Sequence, residues 1–444
     1  NCINYWLYSK FRVYFIYHCL PQIILLTNKL NYTIMTKNKI IKSSNISNKD
    51  LNGWVNNHAI IIENGKISNV INQEGIPELS SYEIIDFGES YAIPGIIETH
   101  AHLQFSATHD AYEIYFNEDE DQRYERAVKN AEKSLLSGVT SIRDLGSPNN
   151  LIFPLKKDID EGIKRGPNIF PTGTPITIKD GHCWFFGSIA HNSSEIFKVI
   201  DNQLNLGATH IKIMASGGNF TPSSNPRISQ YSYETIQETV NYCNSNGTYL
   251  CAHTLSRNST IQCIESGVQN IIHGRWFDES TDKAYSFDKD YSKMIVDKGI
   301  YVDSTISKHL LEYESELKGE KQRPSNPNVN SEPSYESIIN IFRYLDLEGV
   351  KIIGALDMGM SKADFNKAVA SAWAHVEWLG FDHWKAIRSI TITNAEAMRI
   401  EKSKGLISEG YDADMVFFKN DPSKNIRNLV FDPQHVIKGG EVIF

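Results

Sequence analysis

Short apolar runs alternate with amphipathic stretches through the middle of the chain. The runs have the length of buried strands, and the stretches between them, such as 122–137 and 233–246, repeat apolar residues at helical spacing. Strands that alternate with helices indicate parallel βα units, and eight units in series predict an α/β fold of the (β/α)8 TIM-barrel type rather than an open doubly wound sheet. The strand candidates are 92–97, 140–144, 168–172, 210–214, 249–253, 270–273, 300–303 and 351–357.

A strand-rich pattern brackets this series at both ends of the chain. Residues 58–72 hold two β-rich runs around Asn64-Gly65, a strong hairpin signal. Another strand and a glycine-containing hairpin are predicted at 414–418 and 436–443. Because the two terminal segments can pair with each other, we expect a small β-sandwich domain built from both chain ends. The predicted domains are 35–92 and 399–444 for the two parts of the β domain and 93–398 for the barrel.

Two segments do not fit these patterns. Residues 1–34 are rich in Tyr, Ile and Leu, but polar residues interrupt their apolar run, which is too short for a membrane span. We interpret 1–34 as a non-native or upstream extension before Met35, and a divergent signal or anchor is the alternative. The polar stretch 313–335, which contains three prolines, is expected to be a long loop after the seventh strand.

Composition narrows the class of protein. Hydrophobic residues make up 41% of the 444 residues and charged residues 22%, as in an ordinary soluble globular protein. A net charge of -9 argues against a nucleic-acid partner, and no segment predicts stable membrane insertion. The six cysteines form no CxxC pair, so we expect a reducing, cytoplasmic location.

Polar side chains lie at or near the ends of several predicted strands, where a TIM barrel holds its catalytic residues. His100 and His102 are two positions apart, so in a strand both imidazoles point to the same face and can reach one metal ion. Lys212 lies inside the apolar run of the fourth strand. The candidate metal ligands are His100, His102, Lys212, His253, His273 and Asp357.

The combination of these residues carries more weight than any one of them. A lone His-x-His pair is common, and Asp357 alone could cap a helix. Lys212 is the rarer observation, because burying an unpaired ammonium is costly. Nitrogen and oxygen ligands from five strands of one barrel predict a metal centre, with zinc as the expected ion and manganese, iron or cobalt as alternatives.

Three motifs resemble one known family. Residues 94–102 resemble the Pro-Gly-x4-His-x-His signature of the amidohydrolase superfamily, and 405–416 resemble its C-terminal signature. Residues 210–218, with Lys212, are similar to the fourth-strand motif of the imidazolonepropionase-related branch, which includes Xaa-Pro dipeptidases and metallo-carboxypeptidases. The resemblance runs from about residue 55 to the C-terminus.

The resemblance implies a binuclear metal centre with a carboxylated lysine. Lys212 would bridge two divalent metal ions as a carbamate, with His100, His102 and Asp357 on one ion and His253 and His273 on the other. The implied activity is hydrolysis of an amide or peptide-like C–N bond through a metal-bridging hydroxide, including dipeptidase or carboxypeptidase-like activity. Asp357 would transfer the proton to the leaving nitrogen.

Two motifs depart from the family pattern. The eighth strand reads Gly-Ala-Leu-Asp-Met-Gly at 354–359, so Asp357 is present but its neighbours are bulkier than usual. After the third strand the chain has Asp180-Gly181-His182 where Gly-Gly-His is frequent. We expect His182 to donate to the substrate carbonyl, and the aromatic run 183–186 to pack under a loop or to form a pocket wall.

The substrate is less well defined by the sequence. Arg227, Tyr231 and Arg275 follow strands and could face the pocket with His182, which would suit a carboxylate next to the scissile bond. The expected partner is a small molecule with an amide-like bond, and a homo-oligomer is left open. A mononuclear deaminase or cyclic-amide hydrolase on the same barrel is the alternative, and a non-catalytic scaffold is a third hypothesis.

Overall fold

The computed structural model describes residues 38–76, 81–280, 284–320 and 334–444. The segment 1–34 and its boundary at Met35 therefore lie outside the described residues. The strands are β1 Lys39–Ser47, β2 Trp54–Glu63, β3 Lys66–Asn72, β4 Glu83–Asp86, β5 Tyr91–Pro94, β6 Ile96–Ala101, β7 Val139–Asp144, β8 Asn168–Pro171, β9 Ile176–Thr177, β10 Ser188–Ile189, β11 Ile211–Met214, β12 Leu250–His253, β13 Asn270–Ile272, β14 Tyr301–Asp303, β15 Lys351–Ile353, β16 Met415–Phe418, β17 His435–Lys438 and β18 Glu441–Val442.

Helices follow most of the strands that lie between β6 and β16. In chain order they are α1 Ala111–Asn117, α2 Glu120–Leu136, α3 Ile152–Asp160, α4 Ser193–Leu206, α5 Tyr233–Ser245, α6 Arg257–Ser266, α7 Asp290–Asp297, α8 Ile306–Leu317, α9 Tyr335–Leu347, α10 Ala370–Glu377, α11 His383–Ser389 and α12 Ile392–Ala397. Among the residues that the structure describes, none of these helices is long and apolar enough to cross a membrane.

Strands from both ends of the chain share one sheet. Its order is β18-β17-β16-β5-β1-β2-β3, with β4 also paired to β1. The C-terminal strand β16 runs antiparallel to β5, with Met415 opposite Pro94. These strands form one continuous hydrogen-bonded sheet, because β1 pairs with β4 along its first half and with β5 along its second. The sandwich arrangement of this domain stays a prediction. Ile41, Ile60 and Phe417 belong to its separate hydrophobic cluster.

The strands between these ends are parallel and form two further sheets. One contains β6, β7 and β8, and the other runs β10-β9-β11-β12-β13-β14-β15. Backbone hydrogen bonds connect the two sheets on both sides, from Thr209 N to Pro171 O (2.9 Å) and from Met358 N to His100 O (2.9 Å). The predicted series of βα units is therefore observed, and the short β9 and β10 are additions in the segment after β8.

The first predicted barrel strand, 92–97, is divided between two sheets. Its first part is β5 in the sheet built from both chain ends, and its second part is β6 in the sheet of β6, β7 and β8, with Gly95 between them. A Cβ atom at Gly95 would lie 2.1 Å from Thr140 Oγ1, so only glycine allows the chain to pass this close to β7. The apolar pattern does not show the division, because both parts are buried.

The predicted loop 313–335 is wrong at both ends. Helix α8 continues to Leu317, because Leu310 and Leu311 pack into the core. Helix α9 begins at Tyr335, where the side chain of Ser334 accepts a hydrogen bond from a backbone N–H of the first turn. Residues 321–333, which fall within the predicted loop, lie outside the described residues.

Candidate active site

His100 and His102 lie at the end of β6, and hydrogen bonds fix the orientation of both rings. His100 Nδ1 is 2.7 Å from Asp303 Oδ2, and His102 Nδ1 is 3.0 Å from the carbonyl oxygen of Gly146. A carbonyl oxygen and an ionised carboxylate only accept, so Nδ1 carries the hydrogen in both rings. Each Nε2 therefore offers a lone pair, as in metal-binding histidines.

Asp357 faces these two nitrogens from the loop after β15. Its Oδ1 lies 3.2 Å from His100 Nε2 and 3.7 Å from His102 Nε2. The backbone at Asp357 has a φ of 64°, an uncommon conformation for a residue other than glycine that turns the carboxylate towards the two rings. All three residues are buried, and their ligand atoms lie within 4.8 Å of one another. This donor set fits a divalent metal ion.

His253 and His273 lie beside His100, and the two rings differ in which nitrogen is left free to accept, that is, to bind a metal ion. His253 Nε2 donates to Gly217 O at 3.1 Å, which leaves Nδ1 as its acceptor. The Thr305 hydroxyl donates to Ser304 O at 2.8 Å and so accepts from His273 Nδ1 at 3.0 Å. His273 is thus left with Nε2. The His273 ring centroid is 4.7 Å from that of His253 and 5.3 Å from that of His100.

Burial favours the neutral form of all four histidines. It lowers the pKa of His102, and it lowers the pKa values of His100, His253 and His273 well below the usual value. Neutral imidazole is the form that binds a metal ion. The protonation state of the cluster therefore agrees with its geometry.

Lys212 lies on β11 with only 2% of its surface exposed. Burial lowers the pKa of Lys212 to about 8. Within the described part of the chain, no carboxylate forms a salt bridge with its Nζ. It lines the same cavity as the four histidines and Asp357. All six candidate metal ligands are therefore brought together in one place.

His182 also lines this cavity, from the segment between β9 and β10. Its backbone N–H donates to Gln230 Oε1 at 2.6 Å, and its ring centroid is 4.4 Å from that of His253. A Cβ atom at Gly218 would lie 2.5 Å from the imidazole, so this ring needs a glycine beneath it. The structure thus places His182 next to the predicted metal ligands.

Arg227 and Tyr231 are placed differently from expectation. Arg227 is buried, and its Nη1 donates to the carbonyl oxygens of Asp278 and Ser280 at 2.6 and 3.0 Å. The Tyr231 hydroxyl donates to Ala190 O at 2.9 Å. Neither side chain lines the cavity. Their polar groups hold loops together, so a direct role in substrate binding does not follow from this geometry.

Arg275 does line the cavity, and one of its nitrogens is left without a partner. The side chain is 5% exposed, and its Nη2 donates to Thr305 Oγ1 at 3.2 Å. Nη1 is buried and has no hydrogen-bond partner among the described residues. An unsatisfied buried donor is costly, and a guanidinium pairs well with a carboxylate. Arg275 is therefore suited to binding an anionic group of a substrate.

Two basic residues of the cavity were not found from the sequence. Lys308 and His309 stand in the first turns of α8, a helix whose start was not predicted. His309 Nδ1 donates to Glu312 Oε2 at 2.9 Å, and Lys308 Nζ lies 3.8 Å from Glu312 Oε1. Burial would raise the pKa of Glu312, but these two neighbours lower it to about 2. The Lys-His pair just after the seventh strand was the available signal.

Comparison with known proteins identifies one family and several similar proteins. The amidohydrolase family model matches residues 91–443. The ochratoxinase of Aspergillus niger is 23% identical over 382 residues, covering 79% of this chain and 75% of that protein. A solved Xaa-Pro dipeptidase with bound methionine has a TM-score of 0.79 at 22% identity, covering 91% of this chain and 99% of that one. The crystal structure of A. niger ochratoxinase has a TM-score of 0.76 at 21% identity, covering 91% and 95%.

The protein belongs to the amidohydrolase family, because the family model matches most of the chain. The predicted superfamily and the predicted class, a hydrolase acting on C–N bonds, are confirmed at this level. The family implies a TIM-barrel-type α/β fold, which agrees with the parallel βα units described above. Members of the family generally use metal ions, and His100, His102 and Asp357 form a group that could hold one.

Proposed function

We propose that this protein is a binuclear metallohydrolase that cleaves an amide bond next to a free carboxylate in a small molecule. The observation that carries the proposal is the convergence on a single cavity of four neutral histidines, one aspartate and one buried lysine that has no salt bridge among the described residues. The names of the relatives, a dipeptidase and an ochratoxinase, support this substrate class. Dipeptidase-like and carboxypeptidase-like activities both fall within the proposal.

The donor atoms divide into two groups. His100 Nε2, His102 Nε2 and Asp357 would hold one ion, while His253 Nδ1 and His273 Nε2 would hold the other. Lys212, converted to a carbamate, would bridge them, because its buried amine loses its charge more easily than an ordinary lysine. Zinc suits these nitrogen and oxygen ligands. When bound, such ions activate water and polarise a carbonyl.

The protein's own residues would bind the substrate and move the proton. Arg275 Nη1 would receive the substrate carboxylate, with Lys308 beside it. His182 would donate to the carbonyl oxygen of the scissile bond. Asp357 would accept the proton of the attacking water and pass it to the leaving nitrogen, since it lines the cavity with its carboxylate beside His100. The products are a carboxylic acid and an amine.

A closed (β/α)8 barrel is the architecture that we propose for this site. The hydrogen bond from Met358 N to His100 O supports it, because it joins the segment after β15 to β6. A second bond, from His102 N to Met358 O at 2.8 Å, lies next to it. Such a junction would hold Asp357 beside the histidines of β6.

A panel of N-acyl amino acids and dipeptides, incubated with zinc-loaded protein, tests the proposed function. We expect hydrolysis of members that carry a free carboxylate, and two metal ions per chain by elemental analysis. Among the described residues, the tight group of ligand atoms consists of His100, His102 and Asp357, which favours the mononuclear deaminase as the second candidate. One metal ion per chain, with deamination and no amide hydrolysis, would establish that alternative.

Arg275→Met tests the role of the carboxylate. Removing a charge-assisted hydrogen bond should raise KM for carboxylate substrates by about 10- to 100-fold. The amidated form of each substrate serves as the matched control, because it lacks the anion and should be affected less than about threefold. Equal changes in KM for both forms would contradict a carboxylate contact at Arg275.

A further inference from the structure

The strand that carries His100 and the segment that carries Asp357 meet along a seam. β6 and β15 are edge strands of separate sheets, and among the described residues a single isolated bridge, between Ala101 and Met358, joins them. In the described chain, no β-pairing continues below this bridge, between residues 97–100 and 354–357. Buried backbone groups need hydrogen-bond partners, so other groups must supply them there. We call the contact between 97–100 and 354–357 the seam.

Glu98 supplies one connection across the seam. It lies on β6 and is 1% exposed. Its Oε1 accepts hydrogen bonds from His100 N at 2.9 Å and from Leu356 N at 3.1 Å. One oxygen atom therefore holds the backbone of both segments at the same point. Glu98 does not line the cavity, so it acts on the site only through these backbone groups.

Asn394 supplies a second connection, from the helix α12. The residue is fully buried, and its Nδ2 donates to Ile97 O at 2.6 Å and to Gly354 O at 2.7 Å. Its Oδ1 accepts from Gly354 N at 3.1 Å. Ile97 precedes His100 by three residues, and Gly354 precedes Asp357 by three residues. The amide therefore joins the two segments at matching positions before their candidate metal ligands.

The seam holds the backbone of Asp357 on both sides. Leu356 N, directly before it, donates to Glu98, and Met358 N, directly after it, donates to His100 O at 2.9 Å. The φ of 64° at Asp357 is a conformation that persists in a residue other than glycine only where surrounding contacts hold it. With these contacts in place, Asp357 Oδ1 lies 3.2 Å from His100 Nε2. Loss of one contact should let this segment relax and move the carboxylate away from the histidine.

We propose that Glu98 and Asn394 are positioning residues of the metal centre, which hold the Asp357 carboxylate at its place beside His100 and His102. This inference rests on the proposed metal site and specifies what aligns its ligands from outside the cavity. Asp357 is both a ligand and the proton acceptor of the proposed reaction. Its displacement should therefore lower metal affinity and kcat more than it changes KM.

Two variants of Glu98 separate its acceptor oxygen from its size. Glu98→Leu leaves the N–H groups of His100 and Leu356 without an acceptor, whereas Glu98→Gln keeps an acceptor oxygen. In crystal structures of the metal-free proteins, the distance from Asp357 Oδ1 to His100 Nε2 should increase by about 1 Å or more in Glu98→Leu, a displacement large enough to impair a site. It should stay near 3.2 Å in Glu98→Gln. An unchanged distance in Glu98→Leu would overturn the inference, whatever the protein hydrolyses.

Zinc titration of the metal-free protein measures the consequence without turnover. We expect Glu98→Leu to weaken the binding of one zinc ion by about tenfold or more, and Glu98→Gln to remain within about threefold of the wild type. In turnover, kcat of Glu98→Leu should fall by about tenfold or more, while KM changes by less than about threefold. Equal losses in the two variants would contradict a role of the acceptor oxygen. If the wild type binds no zinc, the proposed function is wrong, while the crystallographic distance still decides whether Glu98 holds Asp357.

Asn394→Ala tests the second connection, and it also provides the test if Glu98→Leu does not fold. It should weaken zinc binding by about threefold or more. Asn168→Ala is the matched control, because the Asn168 amide also joins neighbouring strands, with Nδ2 donating to Thr140 O at 3.2 Å, but it lies at the start of β8 and does not line the cavity. Its zinc affinity should stay within about twofold of the wild type. Equal weakening in both variants, or none in Asn394→Ala, would overturn the assignment of Asn394.

Discussion

Two buried lysines of this protein have opposite surroundings. Lys404, in the segment before β16, lies 2.9 Å from Asp412 Oδ2 and 2.7 Å from Asp414 Oδ2. Burial by itself would lower the pKa of Lys404, but the two carboxylates raise it above the usual value. Lys212 is buried more completely and has no such pair of carboxylates in the part of the chain that the structure describes, and burial lowers its pKa to about 8.

The different surroundings indicate different roles: Lys404 carries a charge that stabilises the structure, whereas Lys212 is a reactive group. Lys404 is neutralised by Asp412 and Asp414 and connects the two ends of the segment 404–414. Lys212 forms no salt bridge among the described residues, and the attraction of Asp357 and Asp303 offsets only part of the effect of burial on its pKa. A buried cation without a close ion pair is costly, so another factor must favour its retention. Conversion to a bridging carbamate would remove the charge and supply two acceptor oxygens. The following predictions test this contrast, beginning with the largest effect.

Lys212→Ala should cause the largest loss. We expect at least one of the two metal ions to be absent and turnover to fall by about 1000-fold or more, since the bridging ligand is removed. Acetate or propionate should restore part of both by filling the vacated space with a carboxylate. Elemental analysis and kcat measure the result. Unchanged metal content with near-normal turnover would contradict a role of Lys212 as a metal ligand, and so its contrast with Lys404.

Asp357→Asn should reduce turnover with less effect on metal content. The amide oxygen can still bind a metal ion, but the amide cannot carry the proton. We expect most of the metal to remain and kcat to fall by about 100-fold or more, the usual scale for loss of general acid–base catalysis. Metal content and kcat are measured on the same sample. Parallel loss of metal and activity would show that Asp357 acts only as a ligand.

Lys404→Met should affect stability and not chemistry. It leaves Asp414 buried beside an apolar side chain, which should lower the free energy of unfolding by about 3 kcal/mol. The matched control is Lys424→Met, because Lys424 is exposed and lies 3.6 Å from Asp421, and it should change stability by less than about 1 kcal/mol. Urea unfolding measures both. Metal content and kcat of folded Lys404→Met should equal those of the wild type.

In metal-free protein, the contributions of Lys404 and Lys212 to the free energy of unfolding should change in opposite directions as pH rises. The folded pKa of Lys404 lies above its unfolded value, so its stabilisation is complete below about pH 10.5 and is lost as pH rises through the folded pKa. The folded pKa of Lys212 is about 8, so the folded state binds fewer protons than the unfolded state between that pH and about 10.5. Its unfavourable contribution therefore diminishes as pH rises through this window.

Lys212→Met is the variant that isolates this effect. At pH 7 the metal-free variant should have a higher free energy of unfolding than the metal-free wild type. Above pH 8 this difference in the free energy of unfolding should decrease by at most about 1.4 kcal/mol per pH unit. Urea unfolding at pH 7, 8 and 9 measures the difference. A constant advantage across this range would mean that Lys212 keeps an ordinary pKa in the folded protein.

The sequence by itself determined the βα series and the residues of the candidate metal centre. Apolar runs of strand length are a local property, and the carboxyl ends of parallel strands in one barrel must meet on one side. His100, Lys212 and Asp357 could therefore be grouped without knowing any distance. The rarity of a lysine inside an apolar strand was also visible in the sequence, because burial follows from the pattern around it.

Only the tertiary structure decided which atoms face the cavity. The ring nitrogen that each histidine exposes depends on distant partners such as Asp303 and Gly217. Arg227 and Arg275 look alike in sequence, but Arg227 Nη1 donates to two carbonyl oxygens, while Arg275 Nη1 has no hydrogen-bond partner among the described residues. The rings of Phe116, Phe185 and Phe220 likewise come together from a helix and two loops that are far apart in the chain. Such contacts depend on packing between distant segments, so they cannot be predicted from the local pattern of apolar and polar residues.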